Sequence, residues 1–509
     1  MFDVNAAIGR DAGGSPLAVA DADGLCSVMD RYGLSGALVY HMAARQSHPA
    51  DGNRLLAEAV RGWERLAPCW VGLPDGHEDG RGPAGFVEQL RAAGVRAVRL
   101  FPVRFHFPIA AAVLGPLLEQ IERARVPVLV DWEAEHWSRQ LVDWTALSDL
   151  AGRFPRLPIV LVGMTIGQVR AMMPVLAARP SLHVETSNWQ LPDGPAWLAQ
   201  RIGAGRVLLG TGLPFAESAM PINALARSSL NAADREAAAR GNAARLLGWS
   251  PPRASGAAAR AALPVFDAHV HFGKWASTFT LDDDADGMVR QMDRCGVERA
   301  ALISLLACVG EDDLGNGQVA EAISRHPDRF VGYATVSPHR PDADAALAHW
   351  LDDCGFRGVK IHTSMHSCAF TSDLYRPHWE AADARGLPLL VHGGADWATM
   401  DAMLDRHPRA QFLHAHAGAV WRPGSQEVLH FAAAHPNYYA DLAGSAHQRG
   451  ALQALVEAVG PERVVYGSDA PLFDFAYQVG RVVGADLSEA HKRLVLYGNA
   501  ARLFGVGGA

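Results

Sequence analysis

Cysteine is scarce and scattered in this chain of 509 residues, which has six cysteines and no C-x-x-C pair. A disulfide framework needs paired cysteines in an oxidising compartment, so we expect reduced thiols and a cytoplasmic location. No run reaches the roughly 18 apolar residues that a membrane-spanning helix needs. The first residues, MFDVNAAIGRDAGG, lack a basic segment followed by an apolar core, so we expect no signal peptide.

Positive charge is also in short supply, because 46 Lys and Arg face 54 Asp and Glu for a formal net charge of −8. Nucleic acids and anionic membranes are bound mainly through clustered basic residues, so we expect neither as a partner. A small-molecule substrate is the expected partner. With 49% hydrophobic residues, the chain is longer than one core requires, and two or more domains are expected.

An internal repeat organises the sequence. The octapeptide GNAARLLG at 241–248 returns as GNAARLFG at 498–505, and the opening FDVNAAIG at 2–9 returns as FDAHVHFG at 266–273. Further matched segments keep the same order and nearly the same spacing, which predicts a tandem duplication. The predicted domains are residues 1–248 and 263–509, joined by a Pro- and Ala-rich linker at 249–262.

Each half alternates short apolar runs with amphipathic segments. In the second half the runs are PVFDAHV, RAALISLLA, FVGYATVS, GVKIH, LPLLVH, AQFLHAHA, YYADLA and RVVYGSD. Eight strands separated by helices within about 250 residues predict a (β/α)8 barrel, so the expected α/β fold is two tandem TIM barrels. Reactive groups in such barrels gather at the C-terminal ends of the strands.

Histidines and an aspartate stand at these predicted strand ends. His269 and His271 are two residues apart on the first strand, where period-two geometry points both side chains to one face. His392 ends the fifth run, His416 the sixth and Asp469 the eighth. Four strand ends that carry imidazoles and a carboxylate at one barrel mouth predict a metal site.

Four further residues are candidates for binding the substrate. Lys360 and His362 form a same-face pair on the fourth strand, and the Lys360 ammonium suits a carboxylate or carbonyl oxygen. A buried structural ion pair is the alternative for Lys360. Trp275 and Trp397 lie in the loops after strands one and five, where barrel loops shape substrate pockets.

His414 precedes His416 by two residues, so period two places both side chains on one face of the sixth strand. We expect His416, nearer the strand's end, to take part in the chemistry. His414 is then expected deeper in the barrel or as a partner of the metal-site residues.

These motifs resemble the amidohydrolase superfamily: D-x-H-x-H on strand one, histidines on strands five and six, and G-S-D-x-P on strand eight. They are most similar to its amidohydrolase-2 branch (aminocarboxymuconate-semialdehyde decarboxylase-like), across 264–506 by motif and across 1–248 by fold. The resemblance implies one divalent ion, with zinc expected, bound by His269, His271, His392 and Asp469. It implies a catalytic role for His416. A binuclear site bridged by a carboxylated Lys360 is the alternative.

The ligand set suggests the chemistry. A zinc ion held open by such ligands lowers the pKa of a bound water to about 7, with Asp469 as general base and His416 as proton shuttle. The leading expectation is therefore a metal-dependent hydrolase of an amide, lactone or related carbonyl compound. The alternatives are a metal-dependent decarboxylase of a small unsaturated or aromatic acid, and a non-catalytic metabolite-binding protein.

The first half has lost every ligand. The matching positions hold Asn5, Ala7, Asp131, Thr165 and Gly212. We expect no metal there, and predict that Arg99, at the position of Lys360, pairs with Asp131 in the emptied site. Relatives in this branch are often homodimers, so the first barrel is expected to serve the second as a non-catalytic partner within one chain. Arg104 and His106 are its candidate donors to the active site.

Overall fold

The computed structural model describes residues 1–13, 15, 17–76, 81–133, 140–249, 263–276, 282–421 and 425–507. The chain divides into two compact units, Met1–Arg260 and Ala261–Ala509. Each unit contains one eight-stranded sheet in which consecutive strands are neighbours, and every pair is parallel. We call the two units the first barrel and the second barrel.

The first barrel forms a nearly closed parallel sheet. Its strands are β1 (Phe2–Ile8), β2 (Gly36–His41), β3 (Leu66–Val71), β4 (Ala97–Leu100), β5 (Val128–Asp131), β6 (Ile159–Val162), β7 (Leu182–Glu185) and β8 (Val207–Leu208). The last strand returns to the first, since the Val4 amide donates to the Leu209 carbonyl at 3.0 Å. The predicted (β/α)8 barrel is confirmed for this half.

Helices follow the strands of the first barrel. They are α1 (Ala22–Arg31), α2 (Met42–Gln46), α3 (Pro49–Ala59), α4 (Gly82–Ala92), α5 (Ala111–Ala124), α6 (Trp144–Arg153), α7 (Val169–Ala178), α8 (Gly194–Ile202), α9 (Ala219–Ala226), α10 (Ala232–Glu236) and α11 (Asn242–Leu247). A π-helical segment, Ala237–Gly241, leads into α11. Short 3-10 turns span Ile166–Gln168 and Ala204–Arg206.

The second barrel repeats this plan. Its strands are β9 (Phe266–Phe272), β10 (Arg299–Ser304), β11 (Phe330–Thr335), β12 (Gly358–His362), β13 (Pro388–His392), β14 (Gln411–His414), β15 (Tyr438–Asp441) and β16 (Val464–Val465). The Ala268 amide donates to the Tyr466 carbonyl at 3.0 Å, and the Asp469 amide donates to the His269 carbonyl at 2.9 Å. All eight predicted strands are present, and the barrel is confirmed.

Helices also surround the second barrel. They are α12 (Ala285–Cys295), α13 (Asp312–Arg325), α14 (Ala343–Ala348), α15 (Arg376–Arg385), α16 (Trp397–Arg406), α17 (Ala417–Val420), α18 (Glu427–Ala434), α19 (Ala451–Val459), α20 (Phe475–Gly484), α21 (Glu489–Arg493) and α22 (Asn499–Leu503). π-Helical segments span His349–Asp353 and Leu494–Gly498, the latter leading into α22. Short 3-10 turns span Ala307–Val309, Asp373–Tyr375 and Pro461–Arg463.

The repeated octapeptide performs the same structural task in both barrels. Buried Asn242, at the start of α11, donates from Nδ2 to the carbonyl of Val207 at 2.8 Å. Buried Asn499, at the start of α22, donates in the same way to the carbonyl of Val464 at 2.9 Å. Each amide therefore satisfies a carbonyl of the eighth strand that would otherwise be buried without a partner. This shared contact accounts for the repeated asparagine.

Alternate residues of the strands face opposite layers. On β12, Val359 and Ile361 pack into the apolar layer between strands and helices, which leaves Lys360 and His362 on the inner face. On β9, Val270 packs into the same outer layer, between the two histidines. The same-face pairs expected on these two strands are therefore present.

The predicted linker lies almost entirely outside the described residues. Trp249, its first residue, is an exception. Its ring contacts Phe2 edge-on with the centroids 5.5 Å apart, and its amide donates to the Ala244 carbonyl at 3.2 Å. Trp249 is thus part of the packing of the first barrel, because an indole buries more apolar area against the barrel than it could in an exposed linker.

All six cysteines lie in the described part of the chain and none of them forms a disulfide; Cys354 alone among them is exposed. None of the helices within the described ranges combines the length and the apolar character needed to cross a membrane.

Candidate metal centre in the second barrel

Two histidines and an aspartate converge inside the second barrel. His269 and His271 project inward from β9, and Asp469 follows the end of β16; all three are buried. Oδ1 of Asp469 lies 3.0 Å from Nε2 of His271 and 3.6 Å from Nε2 of His269. Asp469 is not a helix cap, since Asp474 accepts the capping hydrogen bond of α20. The three side chains are therefore free to share a ligand.

The spacing of these atoms fits a divalent cation. Ligand atoms held about 2.1 Å from one ion are separated from each other by roughly 3.0–3.5 Å, and Oδ1 of Asp469 lies close to this range, at 3.0 Å and 3.6 Å from the two histidine nitrogens. Nε2 of His269 is buried and has no hydrogen-bond partner among the described residues. A buried polar atom without a partner is costly, and a shared cation removes that cost. The residues present thus fit the implied metal.

Charge also favours a cation at this point. Burial alone would raise the pKa of Asp469, but the neighbouring imidazoles of His271 and His269 hold that pKa well below its ordinary value. Burial lowers the pKa of His269 to about 4, so its imidazole is neutral near pH 7. An ionised carboxylate beside neutral imidazoles is the protonation state in which these groups coordinate metals.

His416 and His392 extend the cluster. The two rings meet with Nε2 of His416 3.1 Å from Nδ1 of His392, and the His416 ring lies 5.2 Å from that of His269 between centroids. Donor atoms converge within 4.8 Å in two groups of described residues, namely His269, His271 and Asp469, and His269, His416 and Asp441. His392 belongs to neither group, so its part as a fourth ligand stays a prediction.

The prediction that His414 and His416 share one face of the sixth strand is wrong. Strand β14 ends at His414, whose Nδ1 lies 2.9 Å from the hydroxyl of Tyr438, beside Phe412 of the outer layer. His416 adopts the left-handed region with φ +64, which interrupts the alternation of the strand. His414 therefore faces the helices, and the left-handed turn brings His416 to the other histidines.

Sequence reasoning missed one buried residue of the cluster, Asp441 at the end of β15. Its Oδ2 lies 2.7 Å from Nδ1 of His269 and accepts from the backbone amide of His416 at 3.3 Å. Although burial raises it, the pKa of Asp441 is lowered overall by the neighbouring His269 and His416. The available signal was an aspartate ending the seventh apolar run, at the same barrel mouth as the predicted ligands.

Lys360 acts electrostatically on three histidines of the cluster. Its side chain is fully buried, and its Nζ has no hydrogen-bond partner within the described part of the chain. Burial is the largest cause of the lowered pKa values of His269, His271 and His392, and the positive charge of Lys360 adds to it at each. His362, also predicted, stacks on His392 with the ring centroids 4.0 Å apart. Both β12 residues thus join the cluster.

The two predicted tryptophans differ in what the structure shows. Trp397 is the first residue of α16, and its ring stacks on His430 of α18 at 5.0 Å and meets Phe431 edge-on. These ring contacts lie on α18, and a contact of Trp397 with a substrate stays a prediction. Trp275 lies three residues beyond β9, and its contact with a substrate stays a prediction.

The first barrel fills the corresponding position with a hydrogen-bonded chain. The predicted ion pair is confirmed: Nη2 of Arg99 lies 2.6 Å from Oδ2 of Asp131. Arg99 also donates to Oδ1 of Asn5 at 2.9 Å, Asn5 donates to Oγ of Ser187 at 3.2 Å, and Ser187 donates to Glu185 at 2.7 Å. Side chains from four strands are therefore joined where the second barrel gathers its imidazoles. Arg104, a candidate donor, pairs with Glu133 of its own barrel at 2.8 Å.

The chain contains two (β/α)8 barrels, each built from parallel strands, and one of them gathers imidazoles and carboxylates at its strand ends. These features define a class of barrel proteins whose C-terminal face can bind a metal. Within that class, the chain belongs to the amidohydrolase family, whose model (Amidohydro_2) matches residues 31–249 and 266–506. The match in both halves agrees with the duplicated fold.

Similar proteins include γ-resorcylate decarboxylases. The one from Polaromonas sp. is 21% identical over 291 residues, covering 44% of this chain and 88% of the relative, and the one from Rhodococcus jostii is 23% identical over 248 residues, covering 37% and 74%. A solved dihydroxybenzoic acid decarboxylase from Polaromonas sp., with bound manganese and the inhibitor 2-nitroresorcinol, aligns with a TM-score of 0.38 and 18% identity over 48% of this chain and 98% of that chain.

Proposed function

We propose that this protein is a divalent-metal-dependent decarboxylase of a small aromatic or unsaturated carboxylic acid, with its chemistry confined to the second barrel. Support comes from four curated relatives at 21–23% identity, each a γ-resorcylate decarboxylase. The observation that carries the proposal in the structure is the buried Lys360 ammonium group, which has no partner among the described residues and stands beside the metal-binding cluster.

Lys360 is suited to hold the carboxylate that leaves. Burial lowers the pKa of Lys360 because the ammonium form is desolvated, and a neighbouring negative charge would favour that form. A substrate carboxylate would supply that charge and the hydrogen-bond acceptor that Nζ lacks. The stacked rings of His362 and His392 provide a flat wall nearby, which suits a planar ring or a conjugated acid.

The metal would be held by His269, His271 and Asp469, with His392 as the predicted fourth ligand. Bound there, it would polarise a substrate oxygen and stabilise the negative charge that develops as carbon dioxide leaves. Imidazole and carboxylate ligands suit zinc and manganese alike, so both ions belong in the test. The buried carboxylate of Asp469 and the neutral imidazoles keep the ligand set deprotonated near neutral pH.

In this proposal His416 delivers the proton that replaces carbon dioxide. Its left-handed turn brings Nε2 to the centre of the cluster, 3.1 Å from His392. In the proposed step the bond between the carboxylate carbon and the ring or alkene carbon breaks, its electron pair stays on that carbon, and a proton from water adds there, relayed through His416. Carbon dioxide leaves, and the hydroxide ion that remains from the water is released.

The leading expectation from the sequence was hydrolysis of a carbonyl compound, with decarboxylation as its alternative. Both reactions use the same ligands, and the comparisons favour the alternative. A hydrolase would need no anchor for a leaving carboxylate, whereas the buried ammonium group of Lys360 supplies one. We therefore place decarboxylation first.

The test is carbon dioxide release by the full-length chain loaded with Zn2+ or Mn2+. A panel of hydroxybenzoates and conjugated acids, each labelled with 13C at the carboxyl carbon, would be incubated with the protein and the labelled carbon dioxide measured by mass spectrometry. We expect turnover of at least one acid, with a loss of on the order of 100-fold in His416→Asn and in Lys360→Met.

The matched control for His416→Asn is Thr165→Val in the first barrel. Thr165 occupies the position of His416 there, and its buried hydroxyl has no hydrogen-bond partner among the described residues. Its removal should leave turnover unchanged. Release of a new carboxyl group from a lactone or amide panel, without labelled carbon dioxide from any acid, would return the assignment to a hydrolase.

A further inference from the structure

The end of β15 contacts the cluster through one turn, formed by residues 441–443. We propose that Asp441 is a positioning residue that fixes the proton positions on His269, His416 and His392. As a result His269 and His392, the two imidazoles that face the metal, each present an unprotonated Nε2. This inference rests on the metal centre within the proposed function, but not on the reaction catalysed there.

The first imidazole is fixed directly. An ionised carboxylate can only accept hydrogen bonds, so Nδ1 of His269, 2.7 Å from Oδ2 of Asp441, carries the proton. Nε2 is then the unprotonated nitrogen, and it is this atom that faces Asp469 at 3.6 Å without a hydrogen-bond partner among the described residues. A carboxylate behind a metal-binding histidine fixes its tautomer and orientation in this way.

The other two imidazoles are fixed through the backbone. Oδ1 of Asp441 accepts from the Ala443 amide at 3.0 Å, which closes a turn that orients the Ala443 carbonyl. That carbonyl lies 2.9 Å from Nδ1 of His416, so Nδ1 carries the proton and Nε2 does not. Nε2 of His416 must then accept from Nδ1 of His392, which leaves Nε2 of His392 unprotonated.

The carboxylate cannot be replaced by an amide without loss. The groups that hydrogen-bond to this carboxylate are all N–H donors: Nδ1 of His269 and the backbone amides of His416 and Ala443. An asparagine would turn its own N–H2 group toward at least one of these donors. The imidazole of His269 can relieve that conflict by moving its proton to Nε2, which would disable the nitrogen that faces the metal.

The packing around Asp441 leaves it little freedom. The residue is fully buried, and Gly467 of the eighth-strand segment lies against it. A Cβ added at Gly467 would be 2.3 Å from Oδ1 of Asp441 and 2.8 Å from Cβ of His269. Glycine is needed here because the carboxylate and the histidine occupy the space of a side chain.

The first barrel retains the same turn without the imidazoles. Glu185 ends β7, and its carboxylate accepts from the Ser187 amide at 2.8 Å, as Asp441 accepts from Ala443. Glu185 then accepts from the Ser187 hydroxyl rather than from a histidine. The turn is thus common to both barrels, while the control of imidazole protons belongs to the barrel that keeps its ligands.

The experiment compares zinc affinity and ring protonation in full-length variants. Zinc affinity would be measured by competition with a chromophoric chelator, and ring protonation by 15N NMR of chain labelled at histidine. In Asp441→Asn we expect a loss of zinc affinity of about 10- to 100-fold and movement of the His269 proton from Nδ1 to Nε2. Glu185→Gln, the counterpart in the first barrel, should leave zinc affinity within about twofold.

Gly467→Ala tests the same contact without changing the carboxylate, and serves if Asp441→Asn does not fold. We expect weaker zinc binding in this variant too, since its methyl group must displace Asp441 or His269. Unchanged zinc affinity in either folded variant, with the proton still on Nδ1, would overturn the inference. Because neither readout uses turnover, a failure to find carbon dioxide release would not be mistaken for a failure of this proposal.

Discussion

At the residue scale, positions 469 and 212 show what distinguishes the two barrels. Asp469 adopts the left-handed region with φ +65, a conformation that costs a residue with a side chain about 1 kcal/mol or more. The equivalent position in the first barrel is Gly212, with φ +72. The turn is the same, but the barrel without ligands has relieved the strain with glycine. On the proposed function, the second barrel keeps the strained aspartate because its carboxylate is a metal ligand.

The first prediction concerns Gly212→Ala. We expect a loss of about 1–3 kcal/mol in the free energy of unfolding, since the new methyl group would meet Cβ of Ala216 at 2.9 Å in a left-handed conformation. Urea denaturation measures this free energy of unfolding. The control is Gly241→Ala, where φ is −60 and the added Cβ would make only ordinary contacts. An equal loss in both variants would show that the turn at 212 is not the cause.

The second prediction concerns pH and Glu185. Burial raises the pKa of this carboxyl from 4.5 to about 7, so the folded state holds its proton more tightly than the unfolded state. Stability should therefore fall as pH rises from about 4.5 to about 7, by roughly 3 kcal/mol in total. In Glu185→Gln this contribution is absent, so the stability of the variant relative to wild type should improve across that range. If the difference in the free energy of unfolding between Glu185→Gln and wild type does not change with pH, the raised pKa of Glu185 is contradicted.

At the element scale, the repeated asparagines join α11 to β8 and α22 to β16. The third prediction is that Asn499→Ala lowers the free energy of unfolding by about 2–3 kcal/mol, because it leaves the buried Val464 carbonyl without its donor. The control is Gln453→Ala, where a partly exposed side chain donates to Oε1 of Glu457 at 2.9 Å on the same helix. That variant should change stability by less than about 0.5 kcal/mol. Similar values for both would remove the explanation given for the repeated motif.

Elements and most strand-end residues could be predicted from the sequence, because apolar runs and period-two spacing are local signals. The pair Lys360 and His362 followed from that spacing alone. The relation of His414 to His416 could not, since it depends on a left-handed turn that breaks the period. Asp441 was missed because its partner His269 is 172 residues away, and one aspartate among many carries no local sign of that contact.

At the scale of the whole molecule, the two barrels meet the same physical problem in different ways. Strand ends that converge on one point must either bind a cation or satisfy one another's polar groups. The first barrel does the latter through the chain from Glu185 to Asp131, centred on the buried Arg99. The second barrel leaves Nε2 of His269 and Nζ of Lys360 without partners among the described residues. The first barrel therefore pairs several of its strand-end polar groups with one another, whereas the second barrel keeps these unpaired nitrogens at the site that we propose binds a metal and a substrate.

The metal content of the full-length chain tests this account most directly. After loading with zinc and exhaustive dialysis, elemental analysis should find one ion per chain in the wild type. It should find almost none in His269→Ala, and still one in Asn5→Ala, the matched substitution in the first barrel. An ion retained by His269→Ala, or an ion lost by Asn5→Ala, would contradict the confinement of the metal centre to the second barrel.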